Sequence, residues 1–325
     1  MAAQPVLAQN PLVFGNNYFV TGDYVVGGVG LRGLGDGSGF ATGTINIPDQ
    51  SPQGYIAGAR SVPAGAQIVA AVLYWETVES SSTLNIGSSG FFRPVFPGGP
   101  ATGYPITGVV LGSPNAPPVS WSSGGCSGSS NGTKIIQAYR ADVRALLPQD
   151  ANGNVLANGS YEVRLADSGS NGGGVPLTLG ATLVIIYRVM SPNFPLNSIV
   201  IYDGAFSSST TSAGMSQAVQ GFYQPTQPPG SPLAKLTHIV GNGQSNKYEQ
   251  VFFGNSALTA LNPAGTAAFP GLYNGSWDNP TWTVSQYVQP SDTSETTQVV
   301  PNQNNSGCVS WGAVIVSTTV QSSDN

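Results

Sequence analysis

Short runs in which apolar and polar residues alternate recur along the whole chain, each closed off by glycine, proline or asparagine. A period of two marks a strand with one buried face, and Tyr161-Glu-Val-Arg-Leu-Ala166 shows it cleanly. The same reading predicts strands at 18–26, 41–47, 62–75, 198–202, 234–240, 250–253, 281–284 and 311–317. Ala181-Thr-Leu-Val-Ile-Ile-Tyr187 is apolar almost throughout, so that strand is expected to be covered on both faces. Helical periodicity stands out once, at 139–147, where Tyr139, Val143 and Leu146/Leu147 share a face before Pro148 stops the run. The pattern therefore predicts an all-β protein of one or two packed β-sandwich or jelly-roll lobes, with a single short helix near 139–147.

Two proline-rich stretches divide the chain. Met190-Ser-Pro-Asn-Phe-Pro195 is a seam, and Tyr223-Gln-Pro-Thr-Gln-Pro-Pro-Gly-Ser-Pro232 is a stiff connection. The expected organisation is a tail or signal-peptide remnant at 1–8, an N-terminal arm at 9–35, and lobes at 36–190 and 191–325. One intertwined double sandwich is the alternative. Val6-Leu7-Ala8 has the small and apolar residues that signal peptidase favours, which makes Gln9 the expected mature start.

Composition narrows the function. Of 325 residues only 8% are charged, with 10 basic against 15 acidic for a net charge of −5; ordinary domains carry about 25%. Ten scattered cations on an acidic chain cannot form a phosphate-neutralising footprint, so no nucleic-acid partner is expected. No apolar run reaches the ~20 residues that span a bilayer, so no membrane span is expected either. Cys126 and Cys308 are the only cysteines, each in a Ser/Gly-rich stretch, and in an exported protein they are expected to pair. Such a bridge would tie the two lobes together.

Val62-Pro-x-Gly-Ala-x-Ile-Val-x-Ala-x-Leu-Tyr-Trp75, Tyr139-Arg-Ala-Asp-Val143 and Asn158-Gly-Ser-Tyr-Glu-Val163 open an ordered set of segments. Gly180-Ala-Thr-Leu-Val-Ile-Ile-Tyr187, Pro195-Leu-x-Ser-Ile-Val-Ile-Tyr-Asp-Gly204, Asn274-Gly-Ser-Trp-Asp278 and Trp311-Gly-Ala-Val-Ile-Val316 continue it. Together they resemble a domain family of unassigned function in secreted bacterial and archaeal surface proteins, often placed ahead of tandem surface repeats. The resemblance implies a β-sandwich outside the cell and no assigned chemistry.

Motifs with chemical meaning are each matched by a plainer reading. Gly28-Val-Gly30-Leu-Arg-Gly33 has dinucleotide-loop spacing, but Leu34-Gly-Asp-Gly-Ser-Gly39 starts no helix to hold a pyrophosphate. Gly128-Ser-Ser130-Asn-Gly132 matches a nucleophile elbow without its strand and helix. The single His238 sits in an alternating strand, where a structural imidazole is the commoner outcome. Glu76 and Glu79 are the best carboxylate pair for glycoside hydrolysis. Asp150, Asn152 and Asn154 have the oxygen spacing of a calcium loop, but Val155 and Tyr161 replace the glycine and glutamate it needs, and a hairpin turn explains the same letters. Trp75, Trp277 and Trp282 could form a glycan platform or pack a core. Asn131, Asn158, Asn274 and Asn304 lie in glycosylation sequons.

The N-terminal arm carries Leu12, Val13, Phe14, Tyr18, Phe19 and Val20, with Asp23 and Arg32 as its only charges. Such a segment is either the domain's own first strand or a strand that completes a neighbour's sheet. The expectation is a non-catalytic, secreted, cell-surface or fibre-forming structural subunit that contacts copies of itself through β-strands and uses no cofactor. The alternatives are a carbohydrate-binding adhesin module, with surface glycans as partners, and a secreted glycosidase.

Overall fold

A computed structural model describes residues 7–50, 60–80, 85–112, 134–169, 174–191, 194–207, 214–222, 234–254, 256–257, 268–289, 291–301, 307 and 309–320. In chain order the strands are β1 (Leu7–Gln9), β2 (Val13–Gly30), β3 (Phe40–Ile47), β4 (Gln67–Glu79), β5 (Ser89–Val95), β6 (Tyr104–Thr107) and β7 (Val109–Leu111). There follow β8 (Ile135–Asp142), β9 (Gly159–Ala166), β10 (Leu177–Arg188), β11 (Leu196–Ser207), β12 (Gly214–Gln220) and β13 (Ala234–Gly241). The set ends with β14 (Glu249–Phe253), β15 (Ser256–Ala257), β16 (Trp277–Asp278), β17 (Thr281–Thr283), β18 (Ser294–Pro301) and β19 (Ser310–Thr319). The protein is all-β, and every pairing is antiparallel except β1 with β12. No helix among the described residues is long and apolar enough to cross a membrane.

Strand β2 organises the molecule. Its first half, Val13 to Thr21, pairs with β11; its second half, Gly22 to Gly30, pairs with β10. Two sheets therefore diverge from one strand, β2-β10-β4-β8-β7 and β2-β11-β19-β13, the latter continued by β16 and β17. Because side chains alternate along a strand, each sheet has two faces to bury. Trp75, Leu73, Leu183 and Ile185 pack on Phe92, Tyr161 and Val163 of the sheet β3-β9-β5-β6. The opposite face, with Tyr74, Val78, Val184 and Ile186, packs on Ile199, Ile201, Ile239 and Ile315 of the sister sheet. That sister sheet turns Val200, Leu236, Val314 and Val316 toward Met215, Val219, Val251 and Val299 of β1-β12-β18-β14-β15. Four layers of sheet thus enclose three apolar cores. As expected for the apolar run at 181–187, β10 is buried on both faces, and β19 is buried along its whole length.

Two local expectations are corrected. The run at 139–147 is not a helix: Tyr139 to Asp142 end strand β8, and Arg144–Leu146 form one 3-10 turn. Tyr139 and Val143 share a buried core because Tyr139 projects from the strand and Val143 from the turn; the spacing of four residues has that second origin. Leu7 and Ala8 belong to β1, paired with β12, rather than to a loose tail. Within the segment at 9–35, residues 13–30 form β2, the strand that both sheets share.

Candidate functional site

Among the described residues, the first half of β2 leaves one edge open. Val320 N–H donates to Leu196 C=O, which turns the Leu196 backbone toward β19 and the facing Thr21 backbone away from β11. Thr21 C=O accepts from Val189 N–H at 2.7 Å, on the β10 side. By alternation Asn17 and Phe19 point their main-chain groups to that same side. There β10 has ended, and no described strand pairs with residues 13–20. Asn17 N–H is satisfied by the Asn16 Oδ1 of its own strand at 2.8 Å. Gly15 is an extra residue, because Asn16 faces Ile201 while Phe14 faces Tyr202. A Cβ there would lie 3.0 Å from Asp203 Oδ2, tighter than an ordinary contact, so glycine lets the bulge sit close to β11.

The bulge fixes which side chains share a face. Phe14, Asn17 and Phe19 stand opposite Tyr202, Val200 and Ser198, on the face toward β12; Val13, Asn16, Tyr18 and Val20 stand on the other. Phe14, Phe19 and Val13 are 55%, 59% and 63% exposed. Phe14 touches Tyr202 edge-on, with ring centroids 5.9 Å apart. Leu12 and Val20, by contrast, are buried, and Tyr18 packs half-buried on the central core.

Beneath this edge lies a cleft of about 250 Å³ lined by Asn16, Tyr18, Val69, Val72, Tyr74 and Arg140, among others. Arg140 Nη1 reaches Asp203 Oδ2 at 2.5 Å, and Tyr74 Oη donates to the same oxygen at 3.1 Å. Burial pushes the Asp203 carboxyl above its ordinary range, and the Arg140 guanidinium pulls it back. A second pair, Lys235 and Asp23 at 2.9 Å, ties β13 to β2 where the two sheets part. Lys235 Nζ also donates to Tyr24 C=O at 2.7 Å and lies 4.0 Å from the Tyr24 ring centre. These pairs link β8 to β11 and β13 to β2.

The residues with expected chemistry are committed elsewhere. Glu76 and Glu79 are three residues apart on one strand, an odd interval, so they leave opposite faces of β4. Glu76 lies between the two sister sheets, where Ser310 Oγ donates to it; its Oε1 has no hydrogen-bond partner among the described residues. Glu79 takes Ile86 N–H and Gly87 N–H at 2.9 and 3.0 Å and binds Tyr139 Oη. No glycosidase pair exists at these positions.

His238 is a core histidine. Trp311 Nε1 donates to its Nδ1 at 3.1 Å, which leaves Nε2–H to donate to Thr297 Oγ1 at 3.0 Å. Burial pushes the imidazole down to about 3. Its proton NMR shifts should stay flat from pH 8 to pH 4; a titration near 6.5 would place the ring in water. A depressed imidazole also means that stability is lost as pH falls below about 6.5 toward 3.

The glycan reading is corrected as well, and Asp150 is found closing a turn. Asp150 accepts Asn152 N–H, Asn154 N–H and Asn154 Nδ2, each at 2.8 Å, so its carboxylate closes the turn itself. No metal-holding cluster occurs among the described residues. Trp75, Trp277 and Trp282 are buried and form no platform. Trp75 stacks on Tyr139 and donates to Gly87 C=O, and Trp282 meets His238 edge-on. Gly28 and Gly30 lie inside β2, not at a phosphate loop. Asn158 is exposed, but its side-chain amide brackets Val62 N–H and C=O at 2.9 and 2.7 Å. Asn274 is exposed on a turn and donates to Arg32 C=O. Cys126, Cys308, Ser130, Asn131 and Asn304 lie outside the described residues.

No family model matches the chain, and no curated protein matches it. Among solved structures, the ANX2 ectodomain from Arabidopsis thaliana aligns at a TM-score of 0.24 and 9% identity, over 98% of this chain and 95% of that one. The ANX1 ectodomain from the same plant aligns at 0.23 and 8%, over 98% and 97%. Likeness this distant says nothing of function.

Proposed function

We propose that the protein is a non-catalytic, extracellular structural subunit that coheres with copies of itself through β-strand contacts. Its four layers are read as two β-sandwiches packed back to back and joined by β2. The observation that carries this reading is the open edge at residues 13–20, flanked by exposed Val13, Phe14 and Phe19. Soluble proteins ordinarily block such an edge with charge, proline or a covering loop. Here residues 1–22 contain no charged side chain at all. The low charge of the whole chain supports close packing of subunits, because few ions need desolvation at a contact. The resemblance of segments such as 62–75 and 180–187 to secreted surface-protein domains is in keeping with an extracellular location.

Sedimentation velocity over a wide concentration range, with electron microscopy of the same samples, tests the reading. Wild-type protein should populate species larger than one chain, and Phe19→Lys should reduce them by placing a charge on the edge. A chain that stays monomeric at every concentration would overturn it.

A further inference from the structure

We infer that the open edge of β2 is a self-complementary interface, at which two copies pair antiparallel about a twofold axis through Asn17. This inference rests on the cohesion proposed above and specifies its geometry. With the bulged Gly15 left out, residues 13–20 read Val-Phe-Asn-Asn-Tyr-Phe-Val, which is nearly the same in both directions. Antiparallel pairing about Asn17 sets Val13 against the second copy's Val20, Phe14 against its Phe19, and Asn16 against its Tyr18.

Each pair agrees in face. Phe14 and Phe19 both stand toward β12, whereas Val13, Val20, Asn16 and Tyr18 all stand on the opposite side. Residues directly across an antiparallel pair must share a face, and were Gly15 an ordinary ladder residue instead of a bulge, Phe14 and Phe19 would stand on opposite faces and could not oppose each other. The bulge therefore makes the sequence symmetry usable. The main-chain groups also agree: Asn17 and Phe19 turn theirs to the open edge, and on pairing Asn17 N–H would exchange its Asn16 Oδ1 acceptor for the second copy's Asn17 C=O.

Charge favours a second copy over a different partner. A patch of one sign repels its own image, whereas this neutral edge on a chain of net charge −5 does not. The strand itself offers a charged peptide no counter-ion, and Arg140 in the cleft beneath is already paired with Asp203. A twofold contact of this kind is isologous and closes on itself. The exposed parts of Val13, Phe14 and Phe19 would bury roughly 300 Å² per copy, so with the main-chain edge the contact lies at the low end for specific interfaces, below about 1,200 Å². A contact of this size is expected to be reversible.

Two double variants, each with the same number of changes at exposed positions, test the register. In Phe14→Lys/Phe19→Glu every lysine meets a glutamate of the other copy, twice per dimer. In Phe14→Lys/Phe19→Lys every lysine meets a lysine. Dimerisation of the first should exceed that of the second by about thirtyfold in Kd at low salt, and the gap should shrink as salt rises. Circular dichroism checks that both remain folded. If wild type associates but the two variants dissociate equally, this register is wrong and the cohesive reading stands. If wild type never associates, both fall.

Discussion

Glu76→Gln should stabilise the protein by about 4 kcal/mol at pH 9 and by less than about 1 kcal/mol at pH 4. Glu76 is wholly buried between the two sister sheets, and that burial pushes its carboxyl from 4.5 up to about 8 against the opposing pull of Ser310. Between those values the folded chain keeps a proton that the unfolded chain has released. Stability contributed by the protonated acid is thus complete below about pH 4.5 and is lost as pH rises through about 8. The amide has nearly the same shape and never ionises, so it removes this part of the pH dependence. Glu249, pushed up to about 7 by its own burial, adds a slope of the same sign in both proteins. Urea unfolding of wild type and variant at pH 4, 6, 8 and 9 separates the two contributions. Parallel curves would mean that water reaches Glu76.

Trp277→Ala should cost about 4 kcal/mol. Trp277 fills the central core beside Ile239 and Leu179, and its Nε1 donates to Thr182 Oγ1 at 2.8 Å. Its ring lies against Gly180 so closely that a Cβ there would collide with it. Removing the indole leaves a cavity between two sheets and a buried threonine hydroxyl without that donor. Trp277→Phe should cost less, since it keeps most of the volume and loses the hydrogen bond. Thermal unfolding with near-ultraviolet circular dichroism measures both. Unchanged melting in the alanine variant would put this tryptophan at the surface and revive the glycan-platform reading.

Much of the strand content is legible in the sequence, because alternation is imposed by burial itself. The clean period at 161–166 lies in β9, and the unbroken apolar run at 181–187 lies in β10, the strand buried on both sides. Length parity was equally available for Glu76 and Glu79: an interval of three cannot put two side chains on one face of a strand. What the sequence hides is partnership. Tryptophans beside glycines serve surface platforms and cores equally well, and only the closing of the layers buries Trp75, Trp277 and Trp282. The role of β2 was hidden for the same reason. Its eighteen residues read as an apolar segment, but the change of neighbour at Gly22 depends on strands more than 150 residues downstream.

That change of neighbour also governs how the molecule bears tension. A pull along β2 loads two ladders at once and in shear, one held by β10 and the other by β11. Neither half of the body can swing away from the other without stripping the same strand, and the Asp23–Lys235 tie sits at the junction. The protein is accordingly expected to transmit force as one stiff block, extending little until it ruptures in a single event.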